Sequence, residues 1–293
     1  MRKYDIIVVM EQRFTSTDTA VIHRAHQLRR DVIVLREDKA WLSKYSAHPS
    51  RMLWRMARRG ALISLGAGRY AIPIIGSSAP AYKAWQPMLH ARLAPHGDYY
   101  LGGLSSLIEH HLTDLSSSIS CAVIGFPHQD LQEGRVDVAG RPVRAVSTTR
   151  DVFTEELGVE RVRLSRLGHY FRSNATRALV DCLWHPKLCG ETETWVTAWG
   201  RGLQEALNPR DACRYALALG PSVARRVGLM LELVGYGEIA REMIPGKVRW
   251  ANDVTALDAD GVTVTDATPV DSFWRVAYNV PRDRVEGWLS YGK

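Results

Sequence analysis

Residues 49–73 read PSRMLWRMARRGALISLGAGRYAIP, a short helical pattern that runs directly into a glycine-tipped hairpin pattern. On a helix of 3.6 residues per turn, the arginines fall within an arc of about 100° and the apolar residues gather on the other side. The arginines of this arc are Arg51, Arg55, Arg58 and Arg59. A helix with that division fits the major groove of B-DNA, where guanidinium groups bind phosphates or guanine edges. The segment therefore predicts the recognition helix and wing of a winged helix-turn-helix.

The preceding residues supply the other elements that such a domain needs. Apolar spacing predicts a first helix up to about residue 30, a strand at 32–34 and a second helix at 37–45. Thr17 or Asp18 is expected to cap the first helix, and Ser46 or Ser50 the third, which begins at Pro49. Gly60 is expected to end the third helix, and residues 61–65 to pair with 69–74 across a tip at 66–68.

Positive charge is concentrated in this amino-terminal part. The whole chain of 293 residues has a net charge of +7. Residues 1–75 hold 14 lysines and arginines against 6 acidic residues, a net charge of +8, and the remainder is close to neutral at −1. Positive charge on a small domain is typical of phosphate binding with counterion release, although a solvated, soluble surface would show the same excess.

The predicted DNA contacts form two groups. Arg51 and Arg55 are expected nearest the base edges, and the remaining contacts mainly on phosphates or at the start of the helix. The complete predicted set is Lys44, Ser50, Arg51, Arg55, Arg58, Arg59 and Arg69. Trp54 lies at the edge of the arginine arc, and a large aromatic side chain there is expected to pack in the core rather than touch a thymine methyl group.

The fold class predicted for the chain is α+β, with a winged helix-turn-helix at 1–75, a linker at 76–82 and a larger mixed domain at 83–293. Patterns in the larger domain predict helices and short strands in mixed order. The predicted helices are at 81–93, 101–111, 174–184, 193–207, 209–219, 222–233 and from about 281. Strands are predicted at 119–124, 247–250, 254–257 and 262–265, with a hairpin at 135–146 that turns at 139–140. Arg177 and Asp181 lie four residues apart, which favours an ion pair within one helix.

Several segments of the larger domain are similar to a known family, and the similarity extends to the winged domain. YYLGGLSSLIEHHLTD at 99–114, NATRALVDCLWHPKLCG at 174–190, VARRVGLMLELVG at 223–235 and WRVAYNVPRD at 274–283 resemble the AbiEi family, whose members are antitoxins of abortive-infection operons. The resemblance implies a repressor of its own toxin–antitoxin operon, with double-stranded operator DNA as one partner. It further implies neutralisation of a nucleotidyltransferase-like toxin, without requiring a stable complex.

The sequence departs from that family at two places. Asn174, Ala175 and Thr176 stand where many relatives have Ser-Pro-Glu, and the arm before Thr17 is unlike the usual lead-in. Neither difference touches the predicted recognition helix. They leave open which toxin is the partner and whether it is contacted directly.

An enzyme acting on nucleic acid is the first alternative class. A nucleotidyltransferase needs a Gly-Ser turn followed by paired carboxylates, but Gly76 and Ser77 are followed only by Asp98 at a distance. The spacing of Cys182, His185 and Cys189 is a weak zinc pattern, because a structural site needs four ligands. We therefore predict no catalysis, no cofactor and no metal.

A ligand-responsive winged-helix transcription factor, with a sensor domain after the linker, is the second alternative. Residues 160–168, ERVRLSRLG, bear Arg161, Arg163 and Arg166, of which the first two share a strand face. They suit a macromolecular partner as well as a solvated strand edge. Four cysteines without a CxxC pair, and no export or membrane-spanning segment, predict a cytoplasmic protein.

Overall fold

A computed structural model of the protein describes residues 14–30, 32–72, 86, 89–90, 93–94, 97–115, 121–125, 137–138, 141–148, 151–163, 169–247, 254–259, 261 and 263–291. The chain is a mixed α+β protein, which confirms the predicted class. It divides into two compact units, residues 1–95 with 162–170, and residues 96–161 with 171–293. The linker predicted at 76–82 lies outside the described residues.

The first unit has the element order helix, strand, helix, helix and hairpin. Its elements are α1 (Ser16–Gln27), β1 (Val32–Val34), α2 (Leu35–Leu42), α3 (Pro49–Arg58), β2 (Ile63–Gly66) and β3 (Arg69–Ala71). Each predicted element is therefore present, with ends that differ by a few residues. The strands form one antiparallel sheet in the order β1-β3-β2, in which Ile33 lies opposite Tyr70.

Two buried carboxylates hold the elements of the first unit in place. Thr15, rather than Thr17 or Asp18, is the N-cap of α1: its hydroxyl accepts the N–H of Asp18, whose carboxylate accepts the N–H of Thr15 at 2.9 Å. This reciprocal capping box satisfies two donors at the helix start. Asp38 accepts the N–H of Val34 at 2.8 Å and the indole N–H of Trp41 at 3.1 Å, which joins β1 to α2.

The larger unit begins with strands and continues as a helical layer. Its elements are β4 (Tyr99–Leu101), α4 (Gly103–Glu109), β5 (Cys121–Gly125), β6 (Asp137–Val138), β7 (Arg141–Ser147), β8 (Val159–Arg163), β9 (His169–Ser173), α5 (Ala175–Trp184), α6 (Thr192–Glu205), α7 (Pro209–Leu219), α8 (Pro221–Leu233), α9 (Gly237–Met243), β10 (Thr255–Ala256), β11 (Val270–Asp271), β12 (Val276–Ala277) and α10 (Arg282–Tyr291). Single turns of 3-10 helix lie at Glu155–Leu157, Pro186–Leu188 and Pro245–Lys247. The described strands of this part form a six-stranded sheet in the order β6-β7-β5-β4-β9-β8 and a small sheet in the order β10-β12-β11. The core of the helical layer contains the fully buried Trp195, Trp199 and Trp274.

Most of the helices predicted in the larger unit are present, and the hairpin is confirmed by the antiparallel pairing of β6 with β7. The strand predicted at 262–265 is wrong for the residues described, since 263–265 are irregular. Of the strand predicted at 247–250, only Lys247 is described, and it lies in a 3-10 turn. Patterning missed β4, β9, β11, β12 and α9, because strands of two to five residues and a helix of seven have too few positions to show a period.

The ion pair predicted between Arg177 and Asp181 is confirmed, and it is completely buried. The guanidinium donates from Nε to Asp181 Oδ1 at 2.8 Å, from Nη1 to the carbonyl of Leu157 at 2.6 Å and from Nη2 to the hydroxyl of Tyr100 at 2.7 Å. That hydroxyl in turn donates to Asp181 at 3.0 Å. Burial raises the pKa of Tyr100, which keeps the hydroxyl proton in place for this bond. The network joins α5 to β4 and to the turn before β8.

Gly103, Gly228 and Arg226, which lie in the segments quoted above, are also fixed by close contacts. Gly103 has a φ of +49°, and a Cβ there would lie 2.6 Å from the carbonyl oxygen of Leu188. Gly228 lies against the ring of Trp274, so any side chain at 228 would overlap the indole. Arg226 donates to the carbonyls of Ala256 at 2.7 Å and Leu183 at 2.8 Å. These contacts tie α8 to β10 and to the end of α5.

Asp181→Ala is expected to lower the free energy of unfolding by about 3–5 kcal/mol, because it leaves the charge of Arg177 buried without compensation. Glu286→Ala is the matched control: it breaks another Arg–carboxylate pair of i,i+4 spacing whose side chains are 62% and 51% exposed. That loss should stay below about 1 kcal/mol. Urea unfolding followed by fluorescence of the buried tryptophans measures both. Equal losses in the two variants would contradict a structural role for the buried network.

Candidate nucleic-acid interface

Residues at both ends of α3 explain where the helix begins and where it ends. Pro49 occupies the first helical position, where a missing N–H costs nothing, and His48 is the N-cap without a side-chain bond. Ser46, one of the predicted caps, instead accepts the N–H of His48 at 3.0 Å. Gly60 has a φ of +79°, and the N–H of Ala61 bonds to the carbonyl of Met56 at 2.9 Å. This is a Schellman end, which confirms that Gly60 closes the helix.

The predicted division of α3 into an apolar and a charged side is confirmed. Met52, Leu53 and Met56 are buried in the core of the first unit, together with residues of α1, α2 and the strands. The side chains on the opposite side are exposed, namely Ser50, Arg51, Trp54, Arg55, Arg58 and Arg59. Among the residues that the structure describes, Arg51 and Arg55 have no hydrogen-bond or ion-pair partner, so both guanidinium groups are available to a ligand.

Arg59 is in a different position from the other arginines of the row. It follows the last residue of α3 and binds the carboxylate of Asp18 through Nε at 3.2 Å and Nη2 at 2.6 Å. Asp18 is only 1% exposed, whereas the Arg59 side chain is 37% exposed. The sequence expectation placed Arg59 among the phosphate contacts and did not foresee this pair. The structure gives Arg59 a positioning role, because it joins the end of α3 to the start of α1.

Trp54 is not in the core, and the expectation that it packs between helices is wrong. Its side chain is 51% exposed. The guanidinium of Arg58 lies over the indole ring, 5.1 Å from its centroid. Position 54 shares one line along the helix with positions 50 and 58, on the solvent side, because residues four apart lie nearly above one another. The side of α3 that faces the core is formed by Met52, Leu53 and Met56.

A cavity of about 480 Å³ lies between α3 and the start of α1. Three arginines line it, and the first turn of α1 contributes the positive end of that helix dipole. Its lining residues are Thr15, Thr17, Asp18, Tyr45, Ser46, His48, Arg51, Met52, Arg55 and Arg59. The single carboxylate among them is already paired, so the cavity is a positively charged concave surface.

The wing and the second helix carry the remaining predicted contacts. Arg69 begins β3, opposite Val34 on one side and Gly66 on the other, and it is partly exposed. The turn before it places Ala67 at a φ of +48° between two glycines of positive φ, which makes a tight tip. Lys44 is exposed beyond the end of α2. Neither cation has an ion-pair partner in the described part of the chain.

Arg161 and Arg163 are exposed on the same face of β8, as predicted, while Arg166 lies outside the described residues. Cys182 and Cys189 are fully buried, and their thiols donate to the carbonyls of Ala178 and His185. They therefore contribute apolar volume to the core. No group of three or more potential metal ligands occurs among the described residues. Nor does the described part contain a helix with both the length and the apolar character needed to cross a bilayer.

These features define a mixed α+β protein whose first unit carries an exposed basic helix. No family model matches the chain, and no curated protein does. A crystal structure of the RV2827C protein from Mycobacterium tuberculosis is similar in fold, with a TM-score of 0.60 and 13% sequence identity. The match covers 90% of this chain and 92% of that one, so the two share their overall fold.

Arg59→Ala is expected to destabilise the first unit by about 2–3 kcal/mol, because the buried carboxylate of Asp18 loses its charged partner. Arg55→Ala, the control on the same helix, should change stability by less than about 0.5 kcal/mol. Amide hydrogen exchange in α1 and α3 is the suitable measurement, since a chain of two units need not unfold in a single transition. Unchanged exchange in Arg59→Ala would show that the pair does not hold the two helices together.

Proposed function

We propose that the protein is a sequence-specific repressor that binds double-stranded DNA through α3. One observation carries the proposal: Arg51, Arg55 and Arg58 are exposed together on one side of a helix whose opposite side is buried. Elsewhere, arginines such as Arg177 and Arg226 are buried and bonded within the protein. Exposed guanidinium groups on a unit with excess positive charge suit a polyanion.

The order of elements in the first unit supports a winged helix-turn-helix, in which the third helix enters the major groove and the hairpin lies over the backbone. At a rise of about 1.5 Å per residue, α3 is about 15 Å long, comparable with a groove about 12 Å wide. In this proposal Arg51 and Arg55 approach base edges. Arg58, Lys44 and Arg69 bind phosphates, with Ser50 at the helix start.

Arg59 supports binding indirectly in this proposal. Its pair with Asp18 fixes the distance between α3 and the start of α1, and these two elements form the walls of the positively charged cavity. A backbone phosphate beside the recognition helix would enter this concave surface. Binding at a promoter would then block transcription by occupying the duplex.

The experiment begins with duplexes that the full-length protein selects from a random-sequence pool. Arg55→Ala is expected to weaken binding to the selected duplex by about 1–3 kcal/mol and to relax base preference at one position. Arg69→Ala should weaken selected and random duplexes alike and lower the salt dependence by about one counterion. The control is Arg284→Ala, which removes the same charge from an exposed position of α10.

Two results would count against the proposal. If no duplex is enriched above the starting pool, sequence-specific binding fails altogether. If Arg55→Ala and Arg284→Ala bind the selected duplex with equal affinity, α3 is not the reading element.

The second part of the proposal is antitoxicity toward a nucleotidyltransferase-like toxin, and it depends on the AbiEi resemblance. The resembling segments supply Tyr100, Gly103, Arg177, Asp181 and Trp274. All of these are internal to the larger unit, so the resemblance concerns the scaffold of that unit more than its surface. It supports the same architecture with autorepression of a toxin operon, and leaves the residues that neutralise the toxin unassigned.

Co-expression with any nucleotidyltransferase-like toxin that a neighbouring gene encodes tests the second part. The full chain is expected to restore growth, and a doubly substituted Arg51→Ala, Arg55→Ala chain should restore it equally, because these changes affect only the DNA-binding helix. Growth arrest that persists with the wild-type chain would refute antitoxicity. Growth arrest with the double variant alone would place neutralisation on the DNA-binding surface instead.

Ligand-controlled DNA binding is the second candidate function, favoured by a cavity of about 680 Å³ in the larger unit. His110, His111 and Arg201 line it together with the beginning of α5. Its volume lies in the range of small-molecule sites. This candidate differs from a plain repressor in that DNA affinity would change with the concentration of a small molecule.

A further inference from the structure

Trp54 is the most exposed large apolar side chain described in the first unit. An indole normally contributes core packing, and half of this one is in water instead. Its position, the sixth of the ten residues of α3, is near the middle of the helix. Any duplex that meets the exposed side of α3 therefore meets the indole as well.

The indole is held in place by its neighbour. Arg58, one helical turn later, lies over the ring at 5.1 Å from its centroid, a distance at which a guanidinium is attracted to an aromatic face. The contact restricts both side chains before any ligand arrives. A restricted aromatic side chain loses little further entropy on binding, so it can serve as an anchor.

The surroundings of Trp54 favour a nucleic-acid partner over a protein partner. Ser50, Arg51, Arg55 and Arg58 share its exposed side of the helix, and no other large apolar side chain does. The centre of a protein–protein interface is depleted of charged residues, whereas a DNA interface is polar and strongly positive. An apolar group within such a cationic surface needs an apolar partner on the DNA.

We propose that Trp54 reads thymine by packing its indole against the 5-methyl group in the major groove. This inference rests on the proposed function, and extends it by naming a specificity residue and the group that it recognises. The thymine methyl is the apolar group that base edges display in the major groove. Arg58 positions the ring and also reaches the adjacent phosphate, so that one stacked pair contacts both base and backbone.

The test removes the methyl group from the DNA and the indole from the protein. Each thymine of the selected duplex is replaced singly by deoxyuridine, which keeps base pairing and loses only the methyl. Wild-type protein is expected to lose about fourfold in affinity at one position, the contribution of a single buried methyl group. Trp54→Ala should bind the original duplex more weakly and be indifferent to deoxyuridine at that same position. Arg284→Ala, the exposed control position on α10, should keep the wild-type profile.

The outcomes separate the two proposals. If no duplex is selected, the proposed function fails and the thymine contact fails with it. If the protein selects a duplex but the wild type is indifferent to every deoxyuridine, or Trp54→Ala keeps the sensitivity, DNA binding stands and the thymine contact is overturned. Because Trp54 lies outside the core, its removal leaves the fold intact, which circular dichroism verifies.

Discussion

The carboxylate of Asp18 is the group on which the exposed surface of the first unit depends. It is 1% exposed, and a charge removed from water requires a partner. Arg59 supplies that partner, and the backbone N–H of Thr15 supplies a further bond. Satisfying this one carboxylate therefore fixes the start of α1 against the end of α3. The remaining arginines of α3 face solvent on the side opposite Met52, Leu53 and Met56.

The same requirement organises the larger unit around Asp181. Its buried carboxylate is satisfied by Arg177 and Tyr100, and these bonds join a helix to the central sheet. Burial raises the pKa of Asp181, and the bonds from its two partners oppose that shift. The charged side chains Arg177, Asp181 and Arg226 are therefore internal, whereas Arg51, Arg55 and Arg58 of α3 lie on the surface.

This difference separates the residues that form the scaffold from those of the proposed DNA-binding surface. The segments on which the proposed AbiEi resemblance rests contain glycines that allow close packing and arginines that bond to buried carbonyls. They define a scaffold. The proposed reading surface consists of side chains that the scaffold does not need, such as Arg55 and Trp54. Such residues are free to differ between proteins of one fold, since no core contact constrains them.

The sequence alone determined the order of elements in the first unit, the bounds of α3 to within a few residues, and which side of that helix is buried. These are local properties, because capping, glycine at a helix end and a 3.6-residue period act over a few positions. Only the tertiary structure decided that Arg59 is engaged by Asp18, 41 residues away, and that Trp54 is exposed. Helical periodicity places a residue at the edge of a face. Whether the side chain of an edge residue is buried depends on elements that pack beside it but are distant in sequence. A local sequence pattern carries no information about those elements.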